Sequence, residues 1–156
     1  MFRRLIISGA SAAALAFASG VTFAQTQPGA QAEAKAMEER AIAELQANPS
    51  AAIQKFNKPD GEFRKESLYV FCFNTDSGVF TAHANRALLG TDIRGLWEMD
   101  GSPLGKKIFD AANGAKEGAI VIVDYNFPKP GTTNPVPKES FVTRVGNQGC
   151  GVGFYK

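Results

Sequence analysis

The sequence is poor in metal-ligating side chains, with one His and two Cys in 156 residues. That count excludes a zinc site built from His and Cys alone. Net charge is also missing. There are 17 Lys+Arg against 15 Asp+Glu, and two of the basic residues, Arg3 and Arg4, fall in a stretch that reads as a removable signal. Without that stretch the chain holds 15 of each sign. A balanced chain has no basic field, which argues against nucleic-acid binding driven by phosphate attraction. Beyond residue 24 no apolar run is long enough to span a bilayer. There is no G-x-S-x-G nucleophile motif and no internal repeat. At 21% charged residues the chain is not a disordered polyelectrolyte. The 53 apolar residues among the last 132 are enough for one core, so one domain is expected.

What is present starts with a secretory pattern. Arg3 and Arg4 precede an apolar run from Leu5, and Thr22-Phe23-Ala24 sets small side chains around a bulky one just before Gln25. This order reads as a signal peptide over residues 1–24, cleaved after Ala24. Ser8, Gly9, Ser11, Ser19 and Gly20 dilute the run, which argues against a permanent anchor. The mature chain is expected in the periplasm, free of the membrane. Residues 25–31 hold Pro28 and Gly29 and read as a flexible leader.

From Ala32 to Ala47 the residues Ala34, Met37, Ala41 and Leu45 recur at helical intervals, with Glu38, Glu39, Arg40 and Glu44 assigned to a solvated face. Asn48-Pro49 breaks this helix, and Asn48 can cap a short second one to Phe56. Leu68–Phe73 and Val79–His83 read as strands around a turn. Residues 85–101 read as irregular, with one helical turn at Arg86–Leu89. Ser102-Pro103 should cap and open a helix ending at Gly114. Ala119–Phe127 is a strand, and residues 128–137, with four of the eight prolines, read as an extended loop. Lys138–Val145 and Cys150–Tyr155 are strands joined by a turn at 146–149. Three closing strands with short links should form an antiparallel meander. The segment between strands two and three must then cross one face of the sheet while the N-terminal helix covers the other, leaving room for a pocket.

Gly149, Gly151 and Gly153 resemble a nucleotide-binding glycine loop only superficially, because no helix follows them. Their period of two puts them on one face of the last strand, a bare face that suits close packing more than ligand contact. Tyr69, Phe71 and Phe73 share one face of their strand; such a stripe can be core or pocket lining. Trp97, in the crossing segment, can roof a pocket. His83 is the only imidazole, and it either ends a strand or meets a ligand. Lys138 reads from composition as a surface lysine.

Several motifs in order give the sequence a resemblance. Gly61-Glu62-Phe63 with Leu68-Tyr69-Val70-Phe71, Ala82-His83-Ala84-Asn85 with Leu88-Leu89-Gly90, and Asp100-Gly101-Ser102-Pro103-Leu104 come first. Asp124-Tyr125 with Pro128, Lys138-Glu139-Ser140-Phe141-Val142 and Gly151-Val152-Gly153-Phe154-Tyr155 follow. Residues 32–156 resemble a single Cache domain, the extracytoplasmic PAS-like sensor family. The resemblance implies one α+β domain, with a long N-terminal helix on a central antiparallel sheet of about five strands and short crossing helices. It implies a non-catalytic sensing module with no cofactor, metal or catalytic residue. The expected ligand is a small molecule of organic-acid type, and the expected partner a membrane receptor or kinase, with this chain as a free-standing member. A homodimer through the N-terminal helix, using Ala36, Ala43 and Ala47, is a further expectation. The pocket implied is lined by Tyr69, Phe71, His83, Trp97, Tyr125 and Lys138. The resemblance also sets the first and last strands side by side, and with export to an oxidising compartment this predicts a Cys72–Cys150 disulfide, the alternative being two buried thiols. Two other functions stay open: a ligand-free structural or interaction module, and a hydrolase with a dispersed site.

Overall fold

The computed structural model describes residues 28–156, so the signal over 1–24 and residues 25–27 of the leader lie outside the described residues. Helix α1 spans Pro28–Ala47 and α2 spans Pro49–Phe56. The first therefore begins inside the expected leader, at a proline suited to a helix start because its missing N–H would be unpaired there anyway. The Asn48 side chain accepts a hydrogen bond from the Ala51 N–H at 3.0 Å, capping α2.

Six strands follow, in the order β1 Arg64–Lys65, β2 Leu68–Asn74, β3 Phe80–Ala82, β4 Val121–Pro128, β5 Pro135–Val145 and β6 Gln148–Tyr155. Helix α3, Leu104–Gly114, lies between β3 and β4, preceded by 3₁₀ turns at Arg86–Leu88 and Ile93–Gly95. The sheet runs β1-β2-β6-β5-β4, with β3 also on β2, and every pairing is antiparallel. The closing meander and the neighbouring first and last long strands are both present.

Four local expectations shift. The two-residue β1 has no apolar alternation to announce it. Ser102 does not cap α3: Pro103 holds the cap position without a side-chain bond, and the side chain and N–H of Ser102 engage the Asp100 carboxylate instead. The proline stretch is a loop only to Asn134. Pro135 and Pro137 open β5, where β6 has run out and a missing N–H costs no ladder bond. The last turn narrows to Gly146-Asn147, since Gln148 and Gly149 already pair with β5.

The sheet separates two cores. On one side α1 and α2 cover Leu68, Val70, Cys72, Cys150, Val152, Phe154, Phe141 and Val145. Ala34, Met37, Ala41 and Leu45 are buried there as their spacing required. Glu38 is buried with them, fully, against the expectation of a solvated position. It follows Met37 and precedes Ala41 by three, so it sits on the stripe's flank, and a long α1 lying flat on the sheet buries that flank too. Ala36, Ala43 and Ala47 remain exposed. Cys72 and Cys150 are direct cross-strand partners joined by a disulfide, with Cα atoms 4.1 Å apart.

On the other side the crossing segment and α3 pack on the face carrying Tyr69, Phe71, Phe73, Val123, Tyr125 and Val142. Helix α3 and the Ile93–Gly95 turn approach each other closely because Gly105 has no side chain: a Cβ there would land on the Ile93 carbonyl.

Candidate functional site

Three strands aim side chains at the crossing segment. Register makes Tyr125 the direct partner of Lys138, Val123 of Ser140, Lys138 of Tyr155 and Ser140 of Gly153. Cross-strand partners share a face, so Lys138 and Tyr125 point to the same side. The bare glycine face is filled from β2 and β5. A Cβ at Gly149 would fall 2.5 Å from the Phe73 ring, and one at Gly151 would fall 2.6 Å from the Phe71 ring. The glycines are therefore sockets for side chains, not the walls of a void.

What space remains forms two cavities that share Tyr69, His83 and Phe127. The inner one lies under the crossing segment. Tyr69, Phe71, Phe80, His83, Ile93, Leu96, Leu104, Ile108, Tyr125 and Phe127 reduce it to about 20 Å³, room for a single water. The outer one, about 440 Å³, lies at the sheet's end between Arg64, Tyr69, His83, Ala84, Asn85 and the loop Phe127–Thr132. That volume suits a small organic molecule.

His83 borders both cavities and is 6% exposed. Its Nδ1 accepts the Asn85 N–H at 2.8 Å, so in the neutral ring the proton sits on Nε2. Burial, reinforced by the Lys138 charge, lowers its pKa to about 4, which keeps the ring neutral at pH 7. The Tyr69, Phe80 and Phe71 rings hold it, with centroids 5.2, 5.3 and 6.4 Å away. The result is one fixed N–H donor at the junction of the cavities.

Lys138 is 1% exposed and borders neither cavity. Its Nζ donates to the Tyr69 hydroxyl at 3.0 Å. Around it stand Tyr69, Tyr155 and Phe127, at 4.4, 4.7 and 5.4 Å from Nζ to ring centroid. Burial lowers its pKa to about 7, so at neutral pH it lies near half-charge. Aromatic faces attract the ammonium but supply no counter-anion. Tyr69 stands between this cation and both cavities, its hydroxyl held neutral by burial and by Tyr125 and Tyr155. The Tyr125 hydroxyl is engaged by Ser140 Oγ at 2.7 Å. That of Tyr155 donates to the Pro128 carbonyl at 2.6 Å, tying the loop to β6.

Of the six residues expected to meet, Tyr69, Phe71, His83 and Tyr125 line the inner cavity, with Lys138 behind Tyr69. Trp97 stands apart, 63% exposed, and the roof is made by Ile93 and Leu96. The turn Ile93–Gly95 directs Leu96 inward, and the next residue, Trp97, faces solvent. The outer cavity was not read from the sequence. Arg64 reaches it because Arg64 pairs with Tyr69 across β1 and β2 and so shares its face. Lys129 and Thr132 come from the proline loop. The dipeptide Arg64-Lys65 carries no periodicity that would have marked one of its members as inward. Among the described residues no group of three or more His, Cys, Asp or Glu is placed to hold a metal ion.

Comparison with known proteins matches residues 30–155 to a family model described as a Cache domain. Among solved structures, a methyl-accepting chemotaxis protein from Vibrio parahaemolyticus RIMD 2210633 is 19% identical with a TM-score of 0.63, covering 80% of this chain and 87% of that one. A Cache chemosensory domain described for its carboxylic acid recognition is 21% identical at TM-score 0.63, covering 80% and 92%. A periplasmic sensor domain of a chemotaxis protein is 26% identical at TM-score 0.60, covering 87% and 99%. At 19% and 21% identity the first two show a shared fold. The comparison with curated proteins gives no match.

Proposed function

Because this chain belongs to the Cache-domain family, we propose that it is a non-catalytic sensing domain that binds a small organic acid outside the cytoplasm and presents that state to a signalling partner. The observation that carries the reading is the junction of Tyr69 and His83. Two hydrogen-bonding side chains border a cavity of ligand size, and a buried cation without a counter-anion stands directly behind one of them. A carboxylate there accepts the His83 Nε2–H, meets the Tyr69 hydroxyl and supplies the negative charge that Lys138 lacks. A sugar offers no charge, and a cation meets the wrong sign.

The solved relatives are chemoreceptor sensor domains, one described for carboxylic acid recognition, and this supports the same class of ligand here. Extracytoplasmic placement rests on that likeness and on the signal pattern at residues 1–24. Among the described residues no helix is long and apolar enough to cross a membrane. N-terminal sequencing of protein from a periplasmic fraction should give Gln25 first; a membrane-held chain starting at Met1 overturns the export reading.

Thermal shift with a panel of short carboxylates, sugars and amines tests the function, since a ligand of the folded state alone raises the melting temperature. Carboxylates should raise it and the others should not. The competing reading is a ligand-free interaction module, favoured by the inner cavity being almost filled by the domain's own rings. A flat response to every compound, with no metabolite found by mass spectrometry on natively purified protein, decides for it.

A further inference from the structure

The outer cavity has a charge pattern that a single carboxylate does not use up. Arg64 and Lys129 both line it, and no Asp or Glu does. Among the described residues neither cation makes an ion pair, a state they share with Arg40, Lys58, Arg86, Lys107 and Lys116; what sets them apart is that both line one cavity. Arg64 is half-buried on the Tyr69 face, and its charge acts on both Tyr69 and His83. Lys129 is held over the Tyr155 ring, 5.5 Å from Nζ to centroid, on a loop that Tyr155 also anchors through Pro128. Two cations thus stand at the rim, while a third, Lys138, lies behind the inner wall.

We propose that the ligand is a short dicarboxylate, with one carboxylate at Tyr69 and His83 and the other held at the rim by Arg64 and Lys129. This rests on the organic-acid reading above and narrows its class. A monocarboxylate answers the inner charge and leaves the two rim cations without an anion. A dicarboxylate answers both, and the guanidinium fork of Arg64 suits a planar carboxylate. Asn85, also at the outer cavity, uses its Oδ1 to accept from Ala87 N–H and adds a side-chain amide N–H of the kind that donates to such a group.

The test compares acids of equal chain length by calorimetry: malonate with propionate, succinate with butyrate, and glutarate with pentanoate. Inorganic phosphate and sulfate serve as controls. For at least one length the dicarboxylate should bind about tenfold tighter or more. The double variant Arg64→Gln/Lys129→Gln should reduce that preference to about threefold or less, weakening the dicarboxylate far more than the monocarboxylate. Both residues are at least partly exposed, so the variant should fold, and its unliganded melting temperature checks that. If the monocarboxylates bind as tightly as the dicarboxylates, or the double variant weakens both equally, the dicarboxylate inference fails and the organic-acid reading stands. If phosphate or sulfate binds as tightly as the best dicarboxylate, the rim is a general anion site and the inference also fails. If no acid of either kind binds, both readings fall together.

Discussion

The Lys138 side chain occupies the space that Gly153 leaves open: a Cβ at 153 would fall less than 3.0 Å from Lys138 Cε and from Ser140 Oγ. Ser140 is the direct partner of Gly153, and Lys138 is two residues earlier on the same face of β5. The bare glycine therefore lets a buried lysine lie flat along the sheet with its Nζ under Tyr69. Gly153→Ala should displace that stem and destabilise the fold by about 1–3 kcal/mol, as overpacking does. Chemical denaturation measures it. A neutral substitution would mean that Lys138 has another place to lie.

Glu38 is the costliest polar residue of the opposite core. Both carboxylate oxygens are buried without a hydrogen-bond partner, as is the Thr143 hydroxyl of β5. Burial raises its pKa well above the ordinary 4.5. Above pH 4.5 the unfolded chain releases this proton while the folded chain retains it. Stability then falls as pH rises from 4.5 toward the raised value. Glu38→Met should remove that slope and stabilise the domain at pH 7 by about 1–3 kcal/mol. Melting temperatures between pH 4 and 8 for both proteins check it. Parallel curves would show that Glu38 does not titrate with folding.

The parts legible in the sequence were those with a period or a punctuation mark. Ala34, Met37, Ala41 and Leu45 announce α1, Asn48-Pro49 announces the break, and Tyr69, Phe71 and Phe73 announce an inward face. Glu38 carries two opposed signals, a charge that favours solvent and a place beside Met37 that favours burial, and the flat seating of α1 on the sheet decides for the second. Trp97 has the size of a roof, whereas a 3₁₀ turn decides orientation one residue at a time and gives that place to Leu96. The period of the glycine stripe marks a packing surface but not what fills it, since the depth of a lysine is set by tertiary contacts. Arg64 and Lys129 had no local signal; only the pairing of β1 with β2 and the fold of the proline loop bring them to one cavity.

The Cys72–Cys150 bridge ties β2 to β6 across a separation of 78 residues. It lies in the core under α1 and α2, so it restricts the unfolded chain where the folded one is already rigid. The double variant Cys72→Ala/Cys150→Ala should lose about 2–5 kcal/mol. Urea unfolding of oxidised and variant protein measures the difference. Midpoints that coincide would show that the bridge constrains nothing the sheet does not already hold.

Lys138 links ligand binding to pH. Its folded pKa of about 7 lies below its ordinary 10.5, because burial disfavours the ammonium. Between those values the unfolded chain holds a proton that the folded chain has lost, so Lys138 makes stability rise with pH from about 7 to 10.5. A carboxylate bound at Tyr69 favours the charged amine and raises its pKa. Binding near and above pH 7 must then take up a proton, and affinity must fall as pH climbs past 7. His83, lowered to about 4, stays neutral through this range and does not contribute. Calorimetry in buffers of different ionisation enthalpy should register proton uptake at pH 8 and almost none at pH 6. Lys138→Met keeps the packing stem, abolishes the uptake and should weaken binding by about 2 kcal/mol, near thirtyfold. Unchanged affinity in that variant, or an affinity flat from pH 6 to 9 in the parent, would remove Lys138 from the site.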